Sequence, residues 1–209
     1  MIDKSEFDAV VTPAAENVGK YFLGKPLRMR TSAEVRNSAH PEFDLTSKSL
    51  SERSSKGDYH GLSESTLGGK LMIGESIRIG EANYKRTNGG KWERAPAQKD
   101  PPVPAPADRP SPTEQITSEA EYKYLGTENY ELETAGVYSK VEKSSDVNKS
   151  TGKEQQKISS SKYWIAKDGH LIKQELRSTT KTPDMTMIVN IVTEYASDPA
   201  ITITAPEIP

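Results

Sequence analysis

From Leu27 onward, apolar residues recur at every second position through segment after segment, and no helical stretch intervenes to carry the chain back across a sheet. Leu27, Met29, Thr31, Ala33 and Val35 alternate with Arg28, Arg30, Ser32, Glu34 and Arg36. A period of two predicts a half-buried strand with one charged face. Weaker alternation runs through 43–50 and 58–67, and Leu71, Ile73, Ile77 and Ile79 repeat the pattern. Tyr84 to Thr87 then meets Asn88-Gly89 and returns through Gly90-Lys91-Trp92-Glu93. Asn-Gly suits a hairpin turn whose two central residues both take positive φ.

The second half reads the same way. Strands are predicted over 121–125 and 130–142, followed by an almost wholly polar loop at 144–156. A second hairpin runs from Tyr163-Trp164-Ile165-Ala166 through Asp168-Gly169 to 170–174, which makes His170 an exposed turn residue. Met185, Met187, Val189, Ile191, Thr193 and Tyr195 share one face, and Ile188 and Val192 make the other face apolar too, so this strand is expected at the centre of the sheet. Ile201-Thr202-Ile203-Thr204 is read as a short last strand.

Two segments depart from this rhythm. Thr12-Pro13 reads as a helix start, followed by Ala14, Val18, Tyr21 and Phe22 at helical spacing and by Gly24 and Pro26 as a stop; residues 5–11 add a preceding turn. Between 95 and 112 lie seven of the chain's fourteen prolines. That density forbids ladder bonding and helix propagation, so the segment is an extended linker inside a single domain spanning 1–209.

Ten or eleven strands at hairpin distances behind one helix predict an α+β, mainly β fold: a strongly curved antiparallel half-barrel with the N-terminal helix in or over its concave face. A pure β sandwich is the structural alternative, disfavoured by the amphipathic helix, which needs a concave surface to bury it.

Composition narrows the function classes. The 209 residues hold 28 Lys and Arg against 30 Asp and Glu, a net charge of −2, which gives no electrostatic hold on nucleic acid. Cysteine is absent, which removes disulfides, thiolate metal sites and a cysteine nucleophile. No stretch approaches the ~20 apolar residues of a transmembrane helix, and Met1-Ile2-Asp3-Lys4-Ser5-Glu6 lacks the apolar core of a signal peptide. The chain is therefore either intracellular or a mature exported fragment. His40, His60 and His170 lack metal-ligand spacing, with a His40–His60–Asp58 cluster the one remote candidate. No nucleophile elbow or phosphate loop occurs, and the Gly68-Gly69 and Gly89-Gly90 pairs fit hairpin turns. An enzyme is not expected, nor a cofactor or metal.

The order of these features carries a resemblance: Tyr84…Asn88-Gly89-Gly90-Lys91-Trp92, then Tyr163 to Gly169, then Thr193-Glu194-Tyr195 and Ile201 to Pro206. In that order the chain resembles the LolA and LppX-like superfamily of bacterial periplasmic proteins, over nearly its whole length. The resemblance implies an eleven-stranded half-barrel in the periplasm or outer envelope that holds lipid or lipoprotein acyl chains on its concave side. The proline-rich segment stands where lipoprotein carriers place lid helices, which favours a lipid-binding or envelope-sensing relative over the carrier itself. Candidate cavity residues are Leu27, Met29, Leu71, Ile73, Ile77, Ile79, Tyr84, Trp92, Trp164, Met187, Val189 and Ile191. A monomer is expected, with an envelope protein as a further partner if the helix fills the cavity.

Overall fold

The computed structural model describes residues 1–96, 113–130, 133–148 and 152–208. Helix α1 spans Lys4–Glu16 and begins at Asp3, earlier than the Thr12-Pro13 signal suggested. The Asp3 carboxylate accepts from the Glu6 amide at 2.8 Å, and the Glu6 carboxylate accepts from the Asp3 amide at 3.1 Å. This reciprocal capping box satisfies two otherwise orphaned donors. Pro13 falls inside the helix near its end, and the Asn17 amide, just past the helix, returns to the Pro13 carbonyl at 3.0 Å. Phe7, Val11 and Ala14 fall on one stripe and are buried. A short second helix, α2, covers Val18–Tyr21.

Eleven strands follow: β1 (Leu27–Asn37), β2 (Leu45–Arg53), β3 (Tyr59–Leu67), β4 (Lys70–Ile79), β5 (Ala82–Thr87), β6 (Glu93–Ala95), β7 (Thr113–Tyr130), β8 (Glu133–Asn148), β9 (Glu154–Ala166), β10 (Leu171–Lys181) and β11 (Thr186–Ala196). They form one antiparallel sheet in the order β6-β5-β4-β3-β2-β1-β11-β10-β9-β8-β7. It is an open, curved half-barrel, with β6 and β7 as its edges among the described residues. Two sequential meanders, β1–β6 and β7–β11, meet along a single seam where β1 pairs with β11 from Arg28↔Ala196 to Asn37↔Met187. β11 is central, as its two apolar faces predicted.

Three expectations need correction. Residues 144–156 are read from sequence as a loop, but β8 runs on to Asn148 and β9 begins at Glu154. Their polar side chains do not prevent pairing, because Ser144↔Lys157 to Val147↔Glu154 extend the ladder. The strands predicted over 121–125 and 130–142 are likewise longer, and the break between them falls after Tyr130. Ile201–Thr204 forms no strand. Both flanks of β11 are already taken by β1 and β10, so the chain beyond Ala196 cannot fold back beside the strand it leaves. It is held instead by the Ser197 hydroxyl donating to the Pro26 carbonyl at 3.2 Å and by an Asp198–Arg28 ion pair at 2.7 Å. Of the proline-rich segment, 97–112 lies outside the described residues.

Burial is lopsided. Phe7, Val11 and Ala14 pack on Ile165 and Leu171, with Tyr122, Tyr138, Tyr163 and Tyr195 around them. On the opposite face of the sheet Ala135, Val137, Trp164, Ala166 and Ile172 form a second cluster. With Phe22, these are the buried hydrophobic residues among those described, and none of them lies in β1–β6. That half of the sheet holds together through its ladders and leaves both faces open.

Candidate binding groove

The pleat decides what each face presents. Tyr195 packs towards α1, and through Met29↔Tyr195, Met29↔Ser51, Ser51↔Gly61 and Gly61↔Ser76 the helix side of β1–β4 carries small residues such as Ser51, Gly61 and Ser76 among larger ones such as Met29, Tyr59 and Met72. The far face carries Arg28, Arg30, Leu50, Glu52, His60, Leu62, Glu75 and Arg86.

Across the far face runs a ladder of paired polar and charged side chains. Asp198 meets Arg28 at 2.7 Å, Arg28 meets Glu52 at 2.7 Å, and Glu52 lies 3.4 Å from His60. His60 reaches Glu75 at 2.9 Å, Glu75 holds Arg86 at 2.5 Å, and the Arg86 guanidinium lies 4.7 Å from the centre of the Trp92 ring. Burial alone would raise the Glu75 pKa, but hydrogen bonds from His60 and Arg86 outweigh it and hold the carboxyl below its ordinary value. A carboxyl lowered in the folded state contributes stability above its unfolded pKa and loses it as pH falls through the folded value. Wild-type stability is therefore expected to fall more steeply than that of Glu75→Gln as pH drops below about 4.5. Parallel acid titrations of the two, followed by circular dichroism, check this; superimposable profiles would refute it.

Beside this ladder, two adjoining depressions of about 420 and 320 Å³ open on the far face and share Ser32, Lys48, Glu64 and Val192. Leu50, Leu62 and Val192 floor the smaller one, with Leu50 directly opposite Leu62. The larger one extends between Thr46 and Thr66 to Leu71. Arg30, Lys48, Glu64 and Glu194 stand around the apolar floor. Glu194 is engaged by the Tyr130 hydroxyl, and Glu34 by Arg36 at 2.6 Å and Asn190 at 3.3 Å. The arrangement is an apolar trough with a charged rim.

The twelve cavity candidates divide between the two faces. Leu27, Met29, Met187, Val189 and Ile191 lie on the helix side. Leu71, Ile73, Ile77, Ile79, Tyr84 and Trp164 lie on the far side, and Trp92 joins them beneath Arg86. A single cavity therefore cannot hold all twelve. Leu71 borders the groove, while Ile77 and Tyr84 border a separate depression of about 670 Å³ with Tyr59 and Asn83. Leu50, Leu62 and Val192 were absent from the sequence candidates. Leu50 and Leu62 sit between charged or small neighbours, and only their cross-strand register makes them a floor.

The histidines separate as well. His40 lies exposed beside Glu42 at 3.0 Å. Asp58 accepts from the Gly80 amide at 3.2 Å, and no group of three or more His, Asp or Glu is placed to hold a metal ion among the described residues. His170 is buried, not exposed. Its ring stacks on Tyr21 at 4.2 Å, its Nδ1 lies 2.5 Å from Asp168, and the Tyr21 hydroxyl donates to Asp168 at 3.0 Å. The Asp-Gly turn thus folds under α2 and clasps it. Burial raises the Asp168 pKa, yet hydrogen bonds from His170 and Tyr21 bring it below the ordinary value.

No family model matches this chain, and no curated protein matches it. Among the solved structures that are similar to it are two of low identity. One is a LolA superfamily protein from Nitrosomonas europaea, at 10% identity and a TM-score of 0.25, with 91% of each chain covered. The other is a de novo designed transmembrane β-barrel at 3% identity and a TM-score of 0.21, covering 81% of this chain and 95% of that one. Neither likeness bears on ligand or partner. No described helix is long and apolar enough to cross a membrane.

Proposed function

We propose that this protein is a non-enzymatic binding protein of the bacterial cell envelope that holds an acyl chain in the far-face groove. The observation that carries the reading is the apolar floor of Leu50, Leu62 and Val192 inside a rim of Arg30, Lys48, Glu64 and Glu194. An apolar trough with a few convergent polar groups is the usual form of a small-ligand site, and an amphiphile matches both parts at once. Each methylene removed from water contributes roughly 0.8 kcal/mol, so a long chain lying on such a floor gains several kcal/mol even when one side stays wet. The half of the sheet that carries the groove buries no hydrophobic residue of its own, so the surface is free to receive one. Periplasmic or outer-envelope residence is in keeping with the sequence resemblance noted above.

A second reading, an interaction domain that binds a protein partner, is favoured by β7. It is an edge strand 18 residues long, and the Ile2 amide already donates to its Tyr122 carbonyl at 3.1 Å. An extended segment of another chain fits such an edge.

Native mass spectrometry with organic extraction, on protein purified from an envelope fraction, separates the two. A stoichiometric lipid is expected on the wild type and is expected to be missing from Leu50→Asp/Leu62→Asp. A clean apo mass that takes up no added phospholipid would overturn the acyl-binding reading and turn attention to β7.

A further inference from the structure

The short helix α2 has little of its own to keep it in place. Its four residues make one turn, Gly19 lies inside it, and none of its side chains is buried. Two tethers hold the strap that it forms with residues 22–25. One is fixed: the Arg53 guanidinium donates to the Phe22 carbonyl at 2.5 Å, and the Phe22 ring is 1% exposed. The other is the β9–β10 turn, where Tyr21 stacks on the His170 ring and donates to Asp168.

His170 is 8% exposed, and both of its ring nitrogens face carboxylates. Nδ1 lies 2.5 Å from Asp168 Oδ1, and Nε2 lies 3.4 Å from Glu133 Oε2. An ionised carboxylate only accepts hydrogen bonds, so both contacts are satisfied only when both nitrogens carry a proton. A neutral ring has one N–H, and its bare lone pair would then point at a carboxylate with little water to intervene. The stack depends on the charge too. An imidazolium against the Tyr21 ring is attracted by the ring face, as is the Lys25 ammonium, 3.7 Å from the ring centre.

We infer that protonation of His170 latches the strap to the sheet, and that its deprotonation lets α2 lift away from the β9–β10 turn. The groups around the ring fix the direction. Burial pushes the Asp168 carboxyl up, but hydrogen bonds from His170 and Tyr21 outweigh it and keep the carboxyl below its ordinary value, charged through mildly acidic pH. Burial, and then Asp168, push Tyr21 up, so its hydroxyl keeps its proton well above neutrality. Glu133 adds a second negative charge from the start of β8, and Lys25 and Arg53 are the cations of the strap and its fixed tether. Between those limits the imidazole is the group that changes charge, within the histidine range of about pH 5 to 8. The latch is therefore closed on the acid side of that range and opens as pH rises through it. None of these residues lines the groove, so the latch and the acyl reading stand or fall separately.

Hydrogen exchange on the ligand-free full chain tests it, at about pH 5.5 and about pH 8, corrected for the intrinsic pH dependence of exchange. The Tyr21, Phe22, Leu23 and Lys25 amides donate within the strap and its approach, so they report its attachment. Their protection is expected to fall roughly tenfold at the higher pH, the order contributed by one hydrogen bond to a charged group, while the amides of β8–β10 keep theirs. His170→Asn is expected to give the same low protection at both pH values. Glu133→Gln, at an exposed side chain, removes one carboxylate and is expected to move the loss to lower pH. Equal wild-type protection at both pH values would overturn the latch. So would an equally large loss in His170→Asn, which would assign the titration to another group. A loss spread evenly through β8–β10 would overturn it as well, because the sheet and not the strap would then be responding. Should His170→Asn not fold, Glu133→Gln decides alone, since an unshifted transition there contradicts the two-carboxylate latch.

Discussion

Trp164→Ala is expected to lower the unfolding free energy by about 3–5 kcal/mol. The ring is 5% exposed and packs in β9 against Ala135, Val137, Ala166 and Ile172. Two of these neighbours are alanines, which cannot swing in to fill the space left behind. Its indole Nε1 also donates to the Glu128 carboxylate at 2.8 Å, and the Lys173 ammonium lies 4.8 Å from the ring centre. Trp164→Phe retains most of the packing and loses the hydrogen bond, so about 1 kcal/mol is expected for it. Trp92 is the contrast. It is only half-buried and leans on the Arg86 guanidinium, so Trp92→Ala is expected to cost about 0.5–1 kcal/mol. Urea unfolding checks both: the midpoint should move for Trp164→Ala with little change in slope. Equal shifts for the two tryptophans would refute the far-face packing.

Phe7→Ala is the second large effect, again about 3–5 kcal/mol. Phe7 is the largest buried side chain that α1 contributes, and its ring meets Tyr122 at 5.0 Å and Tyr163 at 6.0 Å. The helix has 13 residues, close to the length below which an isolated helix is marginal in water. Its capping box favours the start of the helix, but the contact with β7 and β9 keeps it formed. Helical circular dichroism should therefore weaken in Phe7→Ala before the sheet unfolds, and limited proteolysis should cut first within the N-terminal residues. Unchanged cleavage and an unchanged midpoint would show that the clasp at Tyr21 and His170 holds the helices without Phe7.

Strands and hairpins were legible where local chemistry alone sets them. Asn88 and Gly89 adopt φ of +52° and +68°, as an Asn-Gly hairpin turn requires, and the Asp168-Gly169 hairpin stands where its residues predicted. The helix start was misplaced because Thr-Pro resembles an N-terminus, although the Asp3…Glu6 spacing of a capping box was present upstream. The polar ends of β7, β8 and β9 were invisible to an apolar pattern, since their neighbours in the ladder, not a buried face, make them strands. The site was the least legible part. Alternation tells which residues of one strand share a face, but not which face of the next strand they join after a loop. That is why Met29 and Ile73 were grouped together and lie on opposite sides. His170 was misjudged for a related reason: nothing local to the Asp-Gly turn announces that α2 will lie over it.

The single seam between β1 and β11 also governs the order of assembly. Every other strand pairs with its neighbour in sequence, so each meander can form through short loops with little entropy lost on closure. The seam joins Arg28 to Ala196 and Asn37 to Met187, the most distant partners in the sheet. Contacts of such separation are the slow ones, because closure entropy must be lost before any pairing energy returns. Two half-sheets should therefore exist briefly as separate bodies, each with a bare central strand. In that interval an unpaired β1 of one molecule can take the β11 of another, which makes exchange of half-sheets between copies the characteristic misfolding route of this chain at high concentration.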